Sequence, residues 1–185
     1  RHEKYSLLDH LRPDGLGIVH DDGHPVGIDL EVLRHGNRAD SQPRLLHREN
    51  GVIDLGDGSR FRFDWSGQHH AINALAVIAT ARHLGLDDAV IDAALATSSP
   101  SPSRGRERVV GGIRFIDDAY NANPDSVAAS LASFSELSAT GRRVVLLGDM
   151  LELGEESEQH HAALSSKINL STTSSGIDVL LLFGT

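Results

Sequence analysis

Apolar positions recur along this chain with two periods, and the changes between them predict its elements. The stretch HHAINALAVIATARHL, residues 69–84, is apolar almost all round, the pattern of a buried helix. Gly85 ends it, and Asp87 is placed to cap a second helix reaching about Ala96. Ahead of them, residues 3–11 carry Leu7, Leu8 and Leu11 on one helical face. Leu16 to His20 reads as a strand after the Asp14-Gly15 turn, and 35–44 is polar and reads as a loop. Two short strands, about 52–55 and 60–64, flank Asp57-Gly58, a strong hairpin signal.

Past residue 97 the pattern shifts. Residues 97–105 are Ser, Pro, Arg and Gly and read as a loop; Arg108 to Asp117 reads as a hairpin turning at Gly111-Gly112. Asn123-Pro124-Asp125 is a helix start, with a cap, a proline in the first turn and an acid for the dipole, and this helix extends to about Leu137. Arg143 to Leu147 reads as a strand, continuously apolar after its first residue, which predicts burial on both faces. A helix over 156–168 and a strand over 178–183 complete a β-α-β unit with parallel strands. One such unit cannot bury both faces of its sheet, so the part from about 124 reads as an incomplete open α/β domain.

Composition narrows the function classes. The 185 residues include 39% hydrophobic positions, enough for one domain of ordinary size or two small ones. A net charge of −9 argues against general nucleic-acid binding, which needs clustered cations. The absence of cysteine excludes disulfides, thiolate zinc ligands and thiol nucleophiles. No apolar run approaches the roughly 20 residues of a membrane helix, so membrane insertion is not expected. The N-terminus has neither a signal-peptide layout nor an initiator Met, and the chain is expected to begin inside a longer protein.

The densest chemistry is I-D-D-A-Y-N-A-N-P-D-S, residues 116–126, where a strand ends in two acids before a polar loop and a helix N-terminus. Ligands of α/β proteins sit beyond such strand ends. Asp118 is suited to accept hydrogen bonds from a ribose, and Asn121 or Asn123 to orient a phosphate or water; a plain helix cap with solvated turn acids is the competing reading. Arg104, Arg106 and Arg108 alternate beside this stretch, and guanidinium forks suit phosphate oxygens. Asn73 lies inside the apolar helix, where a buried amide needs partners and its donor–acceptor pair matches an adenine edge. Asp149, with Glu152 nearby, ends the apolar strand in L-L-G-D-M-L-E-L-G and could bind a metal, water or a substrate amine. No G-x-x-x-x-G-K-[ST] phosphate loop occurs.

Together G-Q-H-H-A-I-N-A-L-A (67–76), G-R (105–106), I-D-D-A-Y-N-A-N-P-D-S (116–126) and L-G-D-M-L-E-L-G (147–154) resemble the Mur ligases, ATP-dependent amide-bond-forming enzymes of peptidoglycan precursor synthesis. Y-N-A-N-P-D-S and L-G-D-M-L-E-L-G, followed by Ser157 and His161, resemble the branch that joins D-Ala-D-Ala to UDP-N-acetylmuramoyl-tripeptide. The resemblance implies an α/β fold in which residues 1–122 are the latter part of a central ATPase domain and 123–185 the start of a Rossmann-like C-terminal domain. It implies ATP and Mg²⁺ as cofactors, UDP-N-acetylmuramoyl-tripeptide and D-Ala-D-Ala as substrates, a cytoplasmic location and a monomeric full enzyme. The 185 residues by themselves are expected to be inactive, with the phosphate loop upstream of Arg1.

Position by position, Lys4 falls where the family has a carbamoylated lysine beside magnesium, giving it a catalytic and metal-site role. Asn73 matches an adenine-contacting asparagine, and His70 stands where the family commonly has another asparagine. Arg106 matches an arginine on the nucleotide phosphates, Asp118 an acid on the ribose, and Asn121 belongs to the same nucleotide-side stretch. Asp149 matches a position at the edge of the active cleft. The alternatives are a sister ligase, a Mur-like polymer synthetase, or a non-catalytic nucleotide-binding module.

Overall fold

The computed structural model describes residues 6–12, 14–20, 31–166, 168 and 176–184. Lys4 lies outside the described residues. The backbone forms two compact units, Arg1–Ser98 and Ser99–Thr185.

Among the described residues the first unit holds two sheets and two α-helices. Strands β1 (Leu16–His20) and β2 (Glu31–His35) pair in parallel. Strands β3 (Leu45–Glu49), β4 (Val52–Leu55) and β5 (Arg60–Arg62) form an antiparallel meander. Helices α1 (Gln68–His83) and α2 (Asp88–Thr97) follow. Period-two alternation turns Ile53, Leu55, Phe61 and Phe63 to one side, where they meet Ala71, Leu75 and Ile78 of α1 and Ile91 and Leu95 of α2. Each large side chain fully buried there contributes about 1.5–3 kcal/mol over exposure. Arg82, near the end of α1, reaches Asp57 and Ser59 of the β4–β5 turn and Asp88 at the start of α2, tying turn and helices together.

Several sequence expectations are corrected in this unit. Residues 3–11 were expected to be an α-helix; the described part is a 3-10 helix over Ser6–His10. The polar stretch 35–44 opens on His35, the last residue of β2, and β3 was not anticipated, because its inward Leu45 is followed by the exposed Leu46 and His47. Asp87 occupies the N-cap position of α2 without a side-chain cap bond. Helix α1 is not buried all round: Asn73, Val77 and Thr80 form an exposed stripe.

The second unit opens on the hairpin β6 (Arg106–Val110) and β7 (Ile113–Asp117), turning at Gly111-Gly112. Both glycines have positive φ, 58° and 80°, as the favoured two-residue hairpin turn requires. Helix α3 (Pro124–Glu136) starts with the predicted proline and a full capping box, Asn123 accepting from the Ser126 N–H while the Ser126 hydroxyl accepts from the Asn123 N–H. Strands β8 (Val144–Leu147) and β9 (Val179–Leu182) pair in parallel, as the β-α-β reading requires. Between them lies α4 (Ser157–Leu164), shorter than the expected 156–168 and preceded by a 3-10 turn. Val127, Leu131, Met150, Leu164 and Ile177 form the core. Strand β8 is not buried on both faces: Val144 and Leu146 are 49% and 66% exposed, because the helices cover only the side of Val145 and Leu147.

Candidate functional site

Helix α1 is capped at its start by Gly67, whose φ of 90° turns the chain from the meander into the helix. Three aromatic rings gather at that turn. Trp65 stacks on Phe63 with ring centroids 5.3 Å apart, and His70 meets Trp65 edge-on at 5.4 Å. The Trp65 indole N–H donates to the Ser98 carbonyl at 3.2 Å, so the ring is fixed at both ends. Asn73 stands one turn beyond His70. It is exposed, contrary to the expected burial, and its side chain has no hydrogen-bond partner among the described residues. Its amide is therefore available to a ligand.

In the second unit the base of the hairpin is clasped to the loops on either side. The Gly105 N–H donates to the Asp117 carbonyl and the Tyr120 N–H to the Ser103 carbonyl, both at 2.9 Å. The Ser103 hydroxyl and Arg108 both donate to the Asp117 carboxylate, at 3.0 and 3.4 Å. The Arg104 guanidinium lies 4.0 Å from the centre of the Tyr120 ring, a cation–π contact. Asn121 accepts from the Ala122 N–H, shaping the turn before the capped helix.

This clasp divides the charged residues into two groups. Asp117, Arg104 and Arg108 are occupied in building the loop. Arg106 is exposed and has no acidic partner among the described residues. Asp118 is also exposed, and one of its oxygens accepts from the Ser130 hydroxyl of α3. Arg106 stands directly opposite Asp117 in register, and Asp118 and Asn121 follow Asp117 in the loop that leaves β7.

Asp149 lies at the carboxyl end of β8, where ligands of parallel sheets bind. The neighbouring end of β9 closes on it. A Cβ on Gly184 would fall 2.1 Å from the Asp149 carboxylate, and one on Gly148 would fall 2.8 Å from the Phe183 ring. The loop is pinned from α4: the Met150 N–H donates to His161 Nε2 at 2.9 Å, while His161 Nδ1 lies 2.7 Å from the Ser157 carbonyl. Glu152 carries a left-handed φ of 61° in the same loop.

Among the described residues no three His, Asp or Glu side chains are arranged to hold a metal. Magnesium does not require such a cage, since it is commonly held by one or two carboxylates and substrate phosphates. Sequence reasoning missed Trp65 and Ser130. The alternation Phe61, Phe63, Trp65 carried the first signal, because period two puts all three on one face. Ser130 had none beyond its place four residues after Ser126. Among the described residues no helix is long and apolar enough to cross a membrane.

Comparison with known proteins gives a consistent set. Residues 105–184 match the model of the Mur ligase, glutamate ligase domain. The chain is 37% identical over 166 residues to the UDP-N-acetylmuramoyl-tripeptide–D-alanyl-D-alanine ligase of Treponema pallidum, covering 86% of this chain and 36% of that protein. It is 41% identical over 129 residues to the ligase of the same name from Mycobacterium tuberculosis, covering 65% of this chain and 24% of that one. The chain thus spans about a third or less of these relatives' length. Among solved structures, MurF from Acinetobacter baumannii superposes with a TM-score of 0.80 at 25% identity, over 100% of this chain and 42% of that one. MurF ligase from Thermotoga maritima in complex with ADP superposes at 0.78 with 20% identity, over 100% and 47%, a likeness of fold.

Proposed function

The chain belongs to the Mur ligase family, and from that premise we propose that it forms the adenosine side and the third-domain edge of an ATP-dependent ligase joining D-Ala-D-Ala to UDP-N-acetylmuramoyl-tripeptide. The observation that carries this reading is the hairpin base. There a folded clasp spends Asp117, Arg104 and Arg108 on its own structure and leaves Arg106 and one oxygen of Asp118 facing outward. A cation for phosphate beside an acceptor for hydroxyls is what a nucleotide's two ends need. The relatives' names give the reaction.

In that reaction an oxygen of the tripeptide's terminal carboxylate attacks the γ-phosphorus of ATP. The bond to the β-phosphate oxygen breaks and ADP leaves, giving an acyl phosphate. The dipeptide amine then attacks the acyl carbon, the C–O bond to phosphate breaks, and the amine proton is lost. Arg106 would hold the nucleotide phosphates and offset charge there, Asp118 the ribose, and Asn73 the adenine edge beside the His70 and Trp65 rings. Asn121 would keep the loop in register, and Asp149 would face the incoming substrate. Magnesium, when bound, neutralises phosphate charge, and Lys4 as a carbamate would face it. We propose a functional boundary at 122–123, where the nucleotide-side loop passes into the capped helix, distinct from the division of the backbone at Ser98–Ser99.

The test is substrate-dependent ADP formation, using these residues joined to a segment that supplies a phosphate loop. ADP release should need both UDP-N-acetylmuramoyl-tripeptide and D-Ala-D-Ala and should fall in Arg106→Ala and Asp118→Ala. Release that ignores the dipeptide would place the chain with another Mur-like ligase. Nucleotide binding with no turnover would make it a binding module.

A further inference from the structure

We infer that Ser130 is a positioning residue that presets the Asp118 carboxylate for a vicinal diol, an inference that rests on the adenosine-side reading above. Two adjacent acids end β7, and they are used differently. Asp117 is engaged by the Ser103 hydroxyl, Arg108 and the Ala119 N–H. Asp118 is exposed and takes one donor, the Ser130 hydroxyl, on Oδ2. Oδ1 is left for a ligand.

The helix that supplies Ser130 is well fixed. Its start is locked by the Asn123–Ser126 capping box, and Val127 and Leu131 anchor it in the core. Ser126 and Ser130 are four apart, so both face the loop over 118–123. Ser126 holds the end of that loop at Asn123, and Ser130 holds its beginning at Asp118. Serines within helices commonly bond back to a carbonyl of the preceding turn, as Ser135 does to Ala132. Ser130 instead reaches out of its helix to a carboxylate.

The physical effect is preorganisation. An exposed aspartate samples up to three χ1 wells, and a hydroxyl on Oδ2 selects one. The remaining lone pairs then point outward before any ligand arrives, so less freedom is lost on binding. A carboxylate held this way suits the paired 2′- and 3′-hydroxyls of a ribose.

The test compares ADP with 2′,3′-dideoxy-ADP by calorimetric titration of the protein and of Ser130→Ala, Ser130→Thr and Asp118→Ala. Ser130→Ala should weaken ADP by roughly threefold to tenfold and leave the dideoxy nucleotide unchanged. Ser130→Thr, which keeps the hydroxyl, should restore ADP affinity. Equal weakening of both nucleotides would make Ser130 a structural tether and overturn the inference. So would an effect of Asp118→Ala on ADP alone that Ser130→Ala does not share, with the ribose reading left standing. If Asp118→Ala does not distinguish the two nucleotides, or neither binds, the ribose reading falls and the role of Ser130 with it.

Discussion

His161 and Met150 are joined across the loop that carries Asp149, the imidazole Nε2 accepting the Met150 backbone N–H at 2.9 Å. The other ring nitrogen lies 2.7 Å from the Ser157 carbonyl, which can only accept, so that nitrogen carries the proton. The ring is therefore the Nδ1–H tautomer, held at both nitrogens. Met150 is 2% exposed, so without His161 its N–H would be a buried donor without a partner. His161→Ala should lower unfolding free energy by about 1–3 kcal/mol in a denaturant titration. It should also speed amide exchange at Met150. Unchanged exchange there would mean the loop holds itself.

The turn at Asp57 is tied to both helices by Arg82, and the tie is pH-dependent. Burial alone raises the Asp57 pKa, but hydrogen bonds from the Ser59 hydroxyl and N–H and from Arg82 outweigh it and hold the group down at about 2, below the ordinary 3.8. A depressed carboxylate stabilises the fold fully above its unfolded pKa and loses that contribution as pH falls through the folded one. Stability should therefore drop between about pH 4 and pH 2, and Asp57→Asn should flatten part of that drop. Arg82→Ala should cost about 1–2 kcal/mol at neutral pH. Thermal unfolding at stepped pH values checks both.

Asn73 separates binding from folding. It lies on the exposed stripe of α1 with no partner among the described residues, so Asn73→Ala should change stability by less than about 0.5 kcal/mol. If the amide meets adenine, the same variant should weaken ATP by about 1–3 kcal/mol. A destabilised variant with normal nucleotide affinity would give Asn73 a structural role.

The local chemistry of the chain was legible where one segment decides the outcome. Asn123-Pro124-Asp125 predicted a capped helix and Gly111-Gly112 a tight turn, because both depend on backbone preferences within a few residues. Elements decided by distant packing were misread. Leu45 is an inward residue only because Leu55 stands opposite it, and an isolated stretch cannot show that. Asn73 reads as buried from its apolar neighbours, but a helix covered on one side keeps an open stripe whatever its mean hydropathy. The candidate site residues stood out as motifs; their division into structural and outward-facing groups did not, since it depends on which acid each arginine reaches.

That division gives the sharpest prediction. Three arginines alternate at the hairpin base, and sequence alone treats them alike. Arg104 lies over the Tyr120 ring and Arg108 donates to Asp117, so each already has a partner that holds a loop. Arg106 has no acidic partner among the described residues, so its removal leaves no protein group unpaired. Arg106→Ala should therefore keep the wild-type melting temperature. It should weaken ADP by roughly ten- to a hundredfold, the range for a charged hydrogen bond to phosphate, and leave adenosine almost unchanged. Arg108→Ala should do the reverse, lowering the melting temperature slightly while the ratio of ADP to adenosine affinity stays fixed, because Asp117 keeps the Ser103 bond. Titrating both ligands into both variants at two salt concentrations separates these outcomes, since a phosphate contact fades as salt rises. If Arg106→Ala weakens adenosine and ADP equally, the arginine supports the loop and the phosphates are held elsewhere.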